Sequence, residues 1–386
     1  MFELLFILLP VAAAYGYYMG RHSAGTKRQD DRHTKHTNYL HGVEYLLNNE
    51  KDRAVDKFIA YLNESDPSFE NNMALGNLFR KRGEFDKAIM LHETLAANDN
   101  LEENETELSR LELARDFVAA GLLDRAERIL IEIVDIPRLR DDVVELLVRL
   151  YEQERDFPRA IEMALTYREH LGKNSLLRLS HYYCEIAESE FINGDAKKSL
   201  SMFMQAMDIY DRSVRAMIGL CRLELKDKKL DEAYARLKST IEIDSSYGIV
   251  YLDLLGQCFP DRADPKLRFA LEDLIRRCKS AAAMVTLVEL VDVSAHDDAE
   301  RMLLNFIQEN PNLKLFSALM RMRSKYNNDS SSDAILQLKS LVDAQIARNY
   351  VYVCHSCGFE SKILFWQCPS CRRWESMKAI RGLDGD

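Results

Sequence analysis

The stretch Leu75-Gly76-Asn77-Leu78-Phe79-Arg80-Lys81-Arg82-Gly83-Glu84-Phe85-Asp86-Lys87-Ala88 decides the fold. Leu75, Gly76 and Phe79 fall on one face of a helix, and Ala88 opens the inner face of a second. Arg82-Gly83-Glu84 is a polar turn between them. The small residues let two antiparallel helices approach closely, and the aromatics fill the gaps between neighbouring pairs. A single pair cannot bury its apolar face, so it has to stack on copies of itself. The copies are in the chain. Gly42, Tyr45, Ala54 and Phe58 precede Gly76, Phe79, Ala88 and His92 by 34 residues. Ala114, Phe117, Gly121, Ala126 and Leu130 follow after an insertion of four, and Ala160 lies 34 past Ala126. Ala187, Gly194, Ser199, Phe203 and Ala206 come next, with Ala233 34 past Ser199.

The pattern resembles the tetratricopeptide repeat, and it predicts an all-α superhelical solenoid over residues 38–348. The repeat decays after Ala233. Ala299, Leu303, Phe306 and Pro311 fit the second half of a repeat, while Pro265 and the run from Ala281 to Val293 read as helical but match poorly. A last helix is expected from about Asp333 to Arg348, after the loop Asn327 to Ser332. Its apolar face would hold Ile335, Leu338, Leu341, Val342 and Ile346. Such arrays bind partners on the inner face of the first helix of each pair. The groove position after the small residue is Asn77, Arg115, Arg149 and Arg222 in four repeats. Arg115, Arg149 and Arg222 would favour an acidic partner segment, or they are solvated surface arginines.

Composition narrows the function. Lys plus Arg is 52 against 62 Asp plus Glu, a net charge of −10, which argues against general nucleic-acid binding. No P-loop, dinucleotide fingerprint or nucleophile elbow is present, and His92-Glu93 lacks the second histidine of a metalloprotease motif. A non-catalytic binding scaffold is the expectation.

Two terminal segments depart from the array. Residues 1–20 carry an almost wholly apolar run, Leu4 to Met19, with Tyr15, Tyr17 and Tyr18 near its end. Its length is close to the minimum for a spanning helix. Positive charge follows it (Arg21, Lys27, Arg28, Arg32, Lys35) and none precedes it. That favours a single-pass anchor with the N-terminus outside and the body cytoplasmic, over a cleaved signal peptide or an interfacial helix. Residues 21–37 read as a basic juxtamembrane linker. At the other end, residues 349–386 hold Cys354-His355-Ser356-Cys357-Gly358 and Cys368-Pro369-Ser370-Cys371. Two Cys-x-x-Cys pairs can set four thiolates at the corners of a tetrahedron, the geometry of a structural zinc site. Iron is the alternative metal, and a disulfide pair the alternative chemistry. Gly358 suits a tight knuckle, whereas Arg372 stands where a glycine would complete the symmetry. The other four cysteines, Cys184, Cys221, Cys258 and Cys278, sit singly in apolar contexts and read as small buried hydrophobes. Phe359, Ile363, Leu364, Phe365, Trp366 and Trp374 are too many large apolar side chains for so small a ribbon. It is therefore expected to dock on the array, with Trp366 or Trp374 at the contact.

An N-out anchor, a long repeat array and a terminal four-cysteine ribbon occur together here in one order. In this the chain resembles the lipopolysaccharide assembly protein B family (LapB, or YciM) of Gram-negative inner membranes. The resemblance implies a rubredoxin-like metal domain packed on the repeats. It also implies an adaptor that presents the lipid A deacetylase LpxC to the membrane protease FtsH, with the inner-membrane protein YejM opposing it. A general envelope-assembly scaffold without a proteolytic role, or an iron-containing electron carrier, would share the same three parts.

Overall fold

The computed structural model describes residues 14–19, 37–63, 68–172, 174–291, 296–326 and 331–386. Residues 14–19 are helical; the remainder of the expected anchor and nearly all of the expected linker lie outside the described residues. Among the described residues no helix is long and apolar enough to cross a membrane. The chain forms two compact units, Met1–Leu171 and Gly172–Asp386.

In the first unit the helices are α1 (37–47), α2 (Lys51–Asn63), α3 (Phe69–Arg82), α4 (Phe85–Ala96), α5 (Glu103–Ala119), α6 (Leu123–Ile133), α7 (Arg140–Glu154) and α8 (Phe157–Thr166). They pair as hairpins. Ser68 starts α3 by accepting a bond from the Asn71 amide at 3.2 Å, and Gly83 ends it at φ 83°. In six successive hairpins the turn after the first helix holds a left-handed residue: Asn49, Gly83, Gly121, Arg155, and in the second unit Gly194 and Lys228. Only three of the six are glycine, so the stacking enforces a backbone that asparagine, arginine and lysine would otherwise avoid. Ala54, Ala88, Ala126, Ala160, Ser199 and Ala233, the small residues of the repeat, are all fully buried. Gly76 shows why the site must be small: a Cβ there would lie 2.5 Å from the His92 ring.

The second unit continues as α9 (Ser175–Asn193), α10 (Ala196–Ile209), α11 (Val214–Lys226), α12 (Leu230–Ile243), α13 (Gly248–Cys258), α14 (Pro265–Cys278), α15 (Ala281–Glu289), α16 (His296–Glu309), α17 (Leu313–Tyr326) and α18 (Ser331–Arg348). The hairpins therefore persist where the repeat pattern decays. There the core is carried by Tyr247, Tyr251, Leu254, Leu271, Leu274 and Leu303, larger residues than the repeat template places there. Cys184, Cys221, Cys258 and Cys278 are buried as unbridged thiols, as expected. The last helix differs from expectation in two ways. Ser331 and Ser332 belong to it, and its apolar face is divided. Ile335, Val342 and Ile346 are half-buried, while Leu338 and Leu341 are 52% and 69% exposed. The helix is the end of the stack, and α17 covers only one side of it.

A small antiparallel sheet follows, ordered β2-β1-β3, from β1 (Tyr352–Cys354), β2 (Glu360–Ser361) and β3 (Met377–Ala379). Its core is Tyr352, Cys354, Cys368, Met377 and Ala379, joined by Ile249 from α13. The sheet thus has too little interior of its own, and it closes on the helices of its own unit.

Candidate metal centre and its dock

The four predicted ligands converge. The Sγ atoms of Cys354, Cys357, Cys368 and Cys371 all lie within 4.8 Å of one another. Cys354 to Cys371 and Cys357 to Cys368 are each 3.6 Å. A tetrahedron with metal–sulfur bonds of about 2.3 Å has edges of about 3.8 Å, so the cage fits one thiolate-bound ion. The two knuckles repeat each other. The Gly358 amide donates to Cys354 O at 2.9 Å, and the Arg372 amide donates to Cys368 O at 2.8 Å. Cys354 N donates to Phe359 O at 2.8 Å, and Cys368 N to Arg373 O at 3.0 Å. Gly358 has φ 77° and Arg372 has φ 57°. The glycine missing from the second knuckle is thus replaced by an arginine forced into the same left-handed turn.

The thiols are unequal. Burial pushes the Cys354 thiol up, but its hydrogen bond with Ser376 and the bonds from the Cys357 and Ser356 amides outweigh it and bring it down to about 6. Burial pushes the Cys368 thiol up to about 12. The Arg373 amide holds Cys371 below the ordinary thiol value. A bound cation would favour the thiolate at all four, releasing the proton that burial keeps on Cys368.

The ribbon is keyed into α9, α11 and the turn before α13. Trp374 stacks on His181 of α9, with ring centroids 4.7 Å apart and planes 15° apart. Trp366 packs on Tyr247 at 5.1 Å. Arg215, the second residue of α11, is 3% exposed, with its guanidinium carbon 5.8 Å from the Trp366 ring centre and 6.0 Å from that of Trp374. Its charge is met by Glu185 at 2.9 Å and Glu188 at 2.7 Å. Lys378 of β3 donates to Asp244 at 2.8 Å and to the Tyr247 hydroxyl at 2.9 Å. Burial opposes the charge on Asp244, but bonds from Lys378 and Ser246 hold its carboxyl below the usual value. The tail then runs across three helix ends. Arg381 donates to Cys278 O at 2.5 Å, the Asp386 carboxylate accepts from the Ala282 amide at 2.9 Å, and Leu383 O accepts from the Leu313 amide at 2.9 Å. Trp366 and Trp374 both reach the contact, whereas Ile363 stays 61% exposed.

Sequence reasoning missed His181, Arg215 and Ile249. A signal existed: they stand at successive 34-residue steps, the same register of three consecutive repeats, and all three face the ribbon. The predicted groove residues are placed as their register requires. In the first unit Arg115 bonds Glu112 at 2.6 Å and Asp142 at 3.1 Å, and Arg149 bonds Glu145 at 2.8 Å. In the second unit Arg222 is exposed. His92, dismissed as half of a motif, is fully buried, with Nδ1 2.5 Å from Asp116 Oδ2. Asp116 in turn accepts from Arg80 at 2.6 Å.

A stack of helical hairpins with a four-cysteine ribbon locked against it defines a tetratricopeptide-type scaffold with a rubredoxin-like end. Residues 352–379 match the family model described as rubredoxin metal binding domain. Lipopolysaccharide assembly protein B of Escherichia coli K12 is 32% identical over 390 residues, covering 100% of both chains. That of Haemophilus influenzae Rd is 31% identical over 393 residues, covering 98% of each. Among solved structures, the C-terminal part of a TPR repeat-containing protein from Cytophaga hutchinsonii aligns with 64% of this chain and 99% of its own. Its identity is 14% and its TM-score 0.42. The chain belongs to the lipopolysaccharide assembly protein B family.

Proposed function

We propose that this protein is a non-enzymatic adaptor in lipopolysaccharide assembly, anchored in the inner membrane by residues 1–20 with its body on the cytoplasmic side. In this reading it limits lipopolysaccharide synthesis by bringing the deacetylase LpxC to the protease FtsH, and YejM opposes it. One observation carries the proposal: relatedness to lipopolysaccharide assembly protein B runs the full length of the chain, ribbon included. The mechanism is proximity. A tether confines the scaffold to the membrane surface and raises its effective concentration beside a membrane partner, while the hairpins hold a soluble client. Zinc is the proposed occupant of Cys354, Cys357, Cys368 and Cys371. A redox-inert ion with four thiolates supplies folding free energy and leaves no open position for chemistry.

The test is the half-life of LpxC in cells that lack the protein, complemented by the full chain or by residues 21–386 at native abundance. The expected result is rapid turnover with the full chain and slow turnover with the untethered form. Unchanged turnover in cells lacking the protein overturns the proteolytic role. Full rescue by the untethered form overturns the proximity mechanism.

A further inference from the structure

The seam between ribbon and α9 contains an imidazole with no ordinary reason to be there. His181 is wholly buried, and neither ring nitrogen finds a hydrogen-bond partner of good geometry among the described residues. Nε2 lies 3.2 Å from Glu375 Oε1, and that oxygen is also buried without a hydrogen bond. The third member of the set is Arg215 Nη1, buried and likewise unmatched. Three polar groups from α9, α11 and the ribbon therefore meet in one closed junction, with Trp374 lying flat on the imidazole. Glu375 is itself held at φ 52°, a left-handed conformation that positions it there, with its amide donating to Trp366 O at 2.8 Å. Removing a single buried polar partner in such a junction is costly, and so is adding a charge to it.

We propose that His181 is a proton-operated latch: neutral, it holds the Trp366–Trp374 hairpin of the ribbon against α9 and α11, and protonated, it releases it. The charged and titratable groups around the junction are Glu185 and Glu188 on α9, Arg215 on α11, Asp244 and Tyr247 before α13, and Glu375 and Lys378 on the ribbon. Arg215 is committed to Glu185 and Glu188, and Lys378 to Asp244. Glu375 is the carboxylate beside the imidazole, and Glu185 adds a weaker pull in the same direction. Burial holds His181 below its ordinary value; Glu375 pulls the other way and Arg215 reinforces the burial. The sign follows. An undocked, solvated histidine titrates near about pH 6.5, so the docked state is favoured fully above that pH and loses its advantage as pH falls through it. Mild acidification would then open the ribbon side of the second unit without breaking a covalent or metal–sulfur bond.

The chain supplies its own probe, because Trp366 and Trp374 are its only two tryptophans. The experiment takes the full-length protein, loaded with zinc, from pH 8 to pH 5.5. Tryptophan emission and bound zinc are followed together. The expected result is a red shift while zinc stays bound, and no shift in His181→Phe, which keeps the stacking but cannot titrate. The proposal is overturned by the same shift in His181→Phe, by no shift in the wild type, or by a shift that only tracks zinc loss. Quenching without a red shift overturns it too, since the proton would then enter without releasing the hairpin. Should His181→Phe not fold, Glu375→Gln decides. Without the carboxylate the docked imidazolium is less favoured, so release moves to higher pH; an unchanged or lower midpoint overturns the latch.

Discussion

The two units handle buried charge differently. In Met1–Leu171, Asp116 is answered by His92 and Arg80, partners 24 and 36 positions away on the adjoining hairpin. In Gly172–Asp386, Arg215 is answered by Glu185 and Glu188 but roofed by two tryptophans of the ribbon, and Lys378 reaches back 134 positions to Asp244. Each hairpin of the first unit needs only its neighbours, as in a one-dimensional stack. The second unit is closed by a distant segment that has almost no core of its own. Four cysteines placed to hold one ion lie in that segment, so a metal bound there is expected to act on the second unit's stability and to leave the first unchanged.

The sharpest way to break this contrast is to remove the metal. Cys354→Ser should abolish stoichiometric zinc binding, and binding free energies at such sites are on the order of ten kcal/mol. Amide hydrogen exchange should then rise through the ribbon and also in the exposed-on-release parts of α9, α11 and α13. Protection in α3 to α8 should stay as in the wild type. Changes confined to residues after Tyr350 would show that the scaffold does not depend on the ribbon.

A smaller effect compares the two arginines directly. Arg215→Met leaves Glu185 and Glu188 without their cation beside an apolar roof, and should cost about 3 kcal/mol. Arg80→Met should cost less, about 1–2 kcal/mol, because Arg80 keeps more contact with water and Asp116 retains His92. Urea unfolding of the two variants reads the difference. Equal losses would mean that the tryptophan roof does not raise the cost of an unmatched charge.

Much of this was legible in the sequence, and the failures have physical causes. Small residues at the hairpin contact leave a period because every copy meets the same steric limit, as Gly76 meets His92. The cysteine spacing is legible because tetrahedral thiolate geometry permits few alternatives. Beyond Ala233 the period fades: the segment Phe259 to Asp264 lengthens one turn, and Tyr247 and Tyr251 fill space that small residues and neighbouring aromatics share elsewhere. The dock was foreseen from the surplus of aromatics on the ribbon, yet its receiving surface was not. A histidine and an arginine on polar-looking helix turns carry no hydropathy signal, and only their shared 34-residue register marks them.

The smallest effect on stability, and the most informative about clients, should come from the groove arginines. Ala114, Val148 and Cys221, the residues just before them, are all buried, so Arg115, Arg149 and Arg222 emerge at one register. Arg149 is 66% exposed on the side chain and pairs within its own helix, with Glu145. Reversing Arg149 or Arg222 to Glu should change unfolding free energy by no more than about 0.5 kcal/mol. Arg115 calls for Gln, because a carboxylate there would face Glu112, which Arg80 already holds at 2.5 Å. If an acidic segment of LpxC lies along these positions, each loss should weaken capture by roughly fivefold, about 1 kcal/mol. Binding of purified LpxC to the immobilised full chain measures it. Unchanged affinity in all three folded variants removes the arginines from the client surface. Loss only with Arg222→Glu places the client on the second unit, which carries the ribbon. Loss only with Arg115→Gln and Arg149→Glu places it on the unit that stands without metal. In that second case the Cys354→Ser protein should still capture LpxC, which separates client binding from the function of the ribbon.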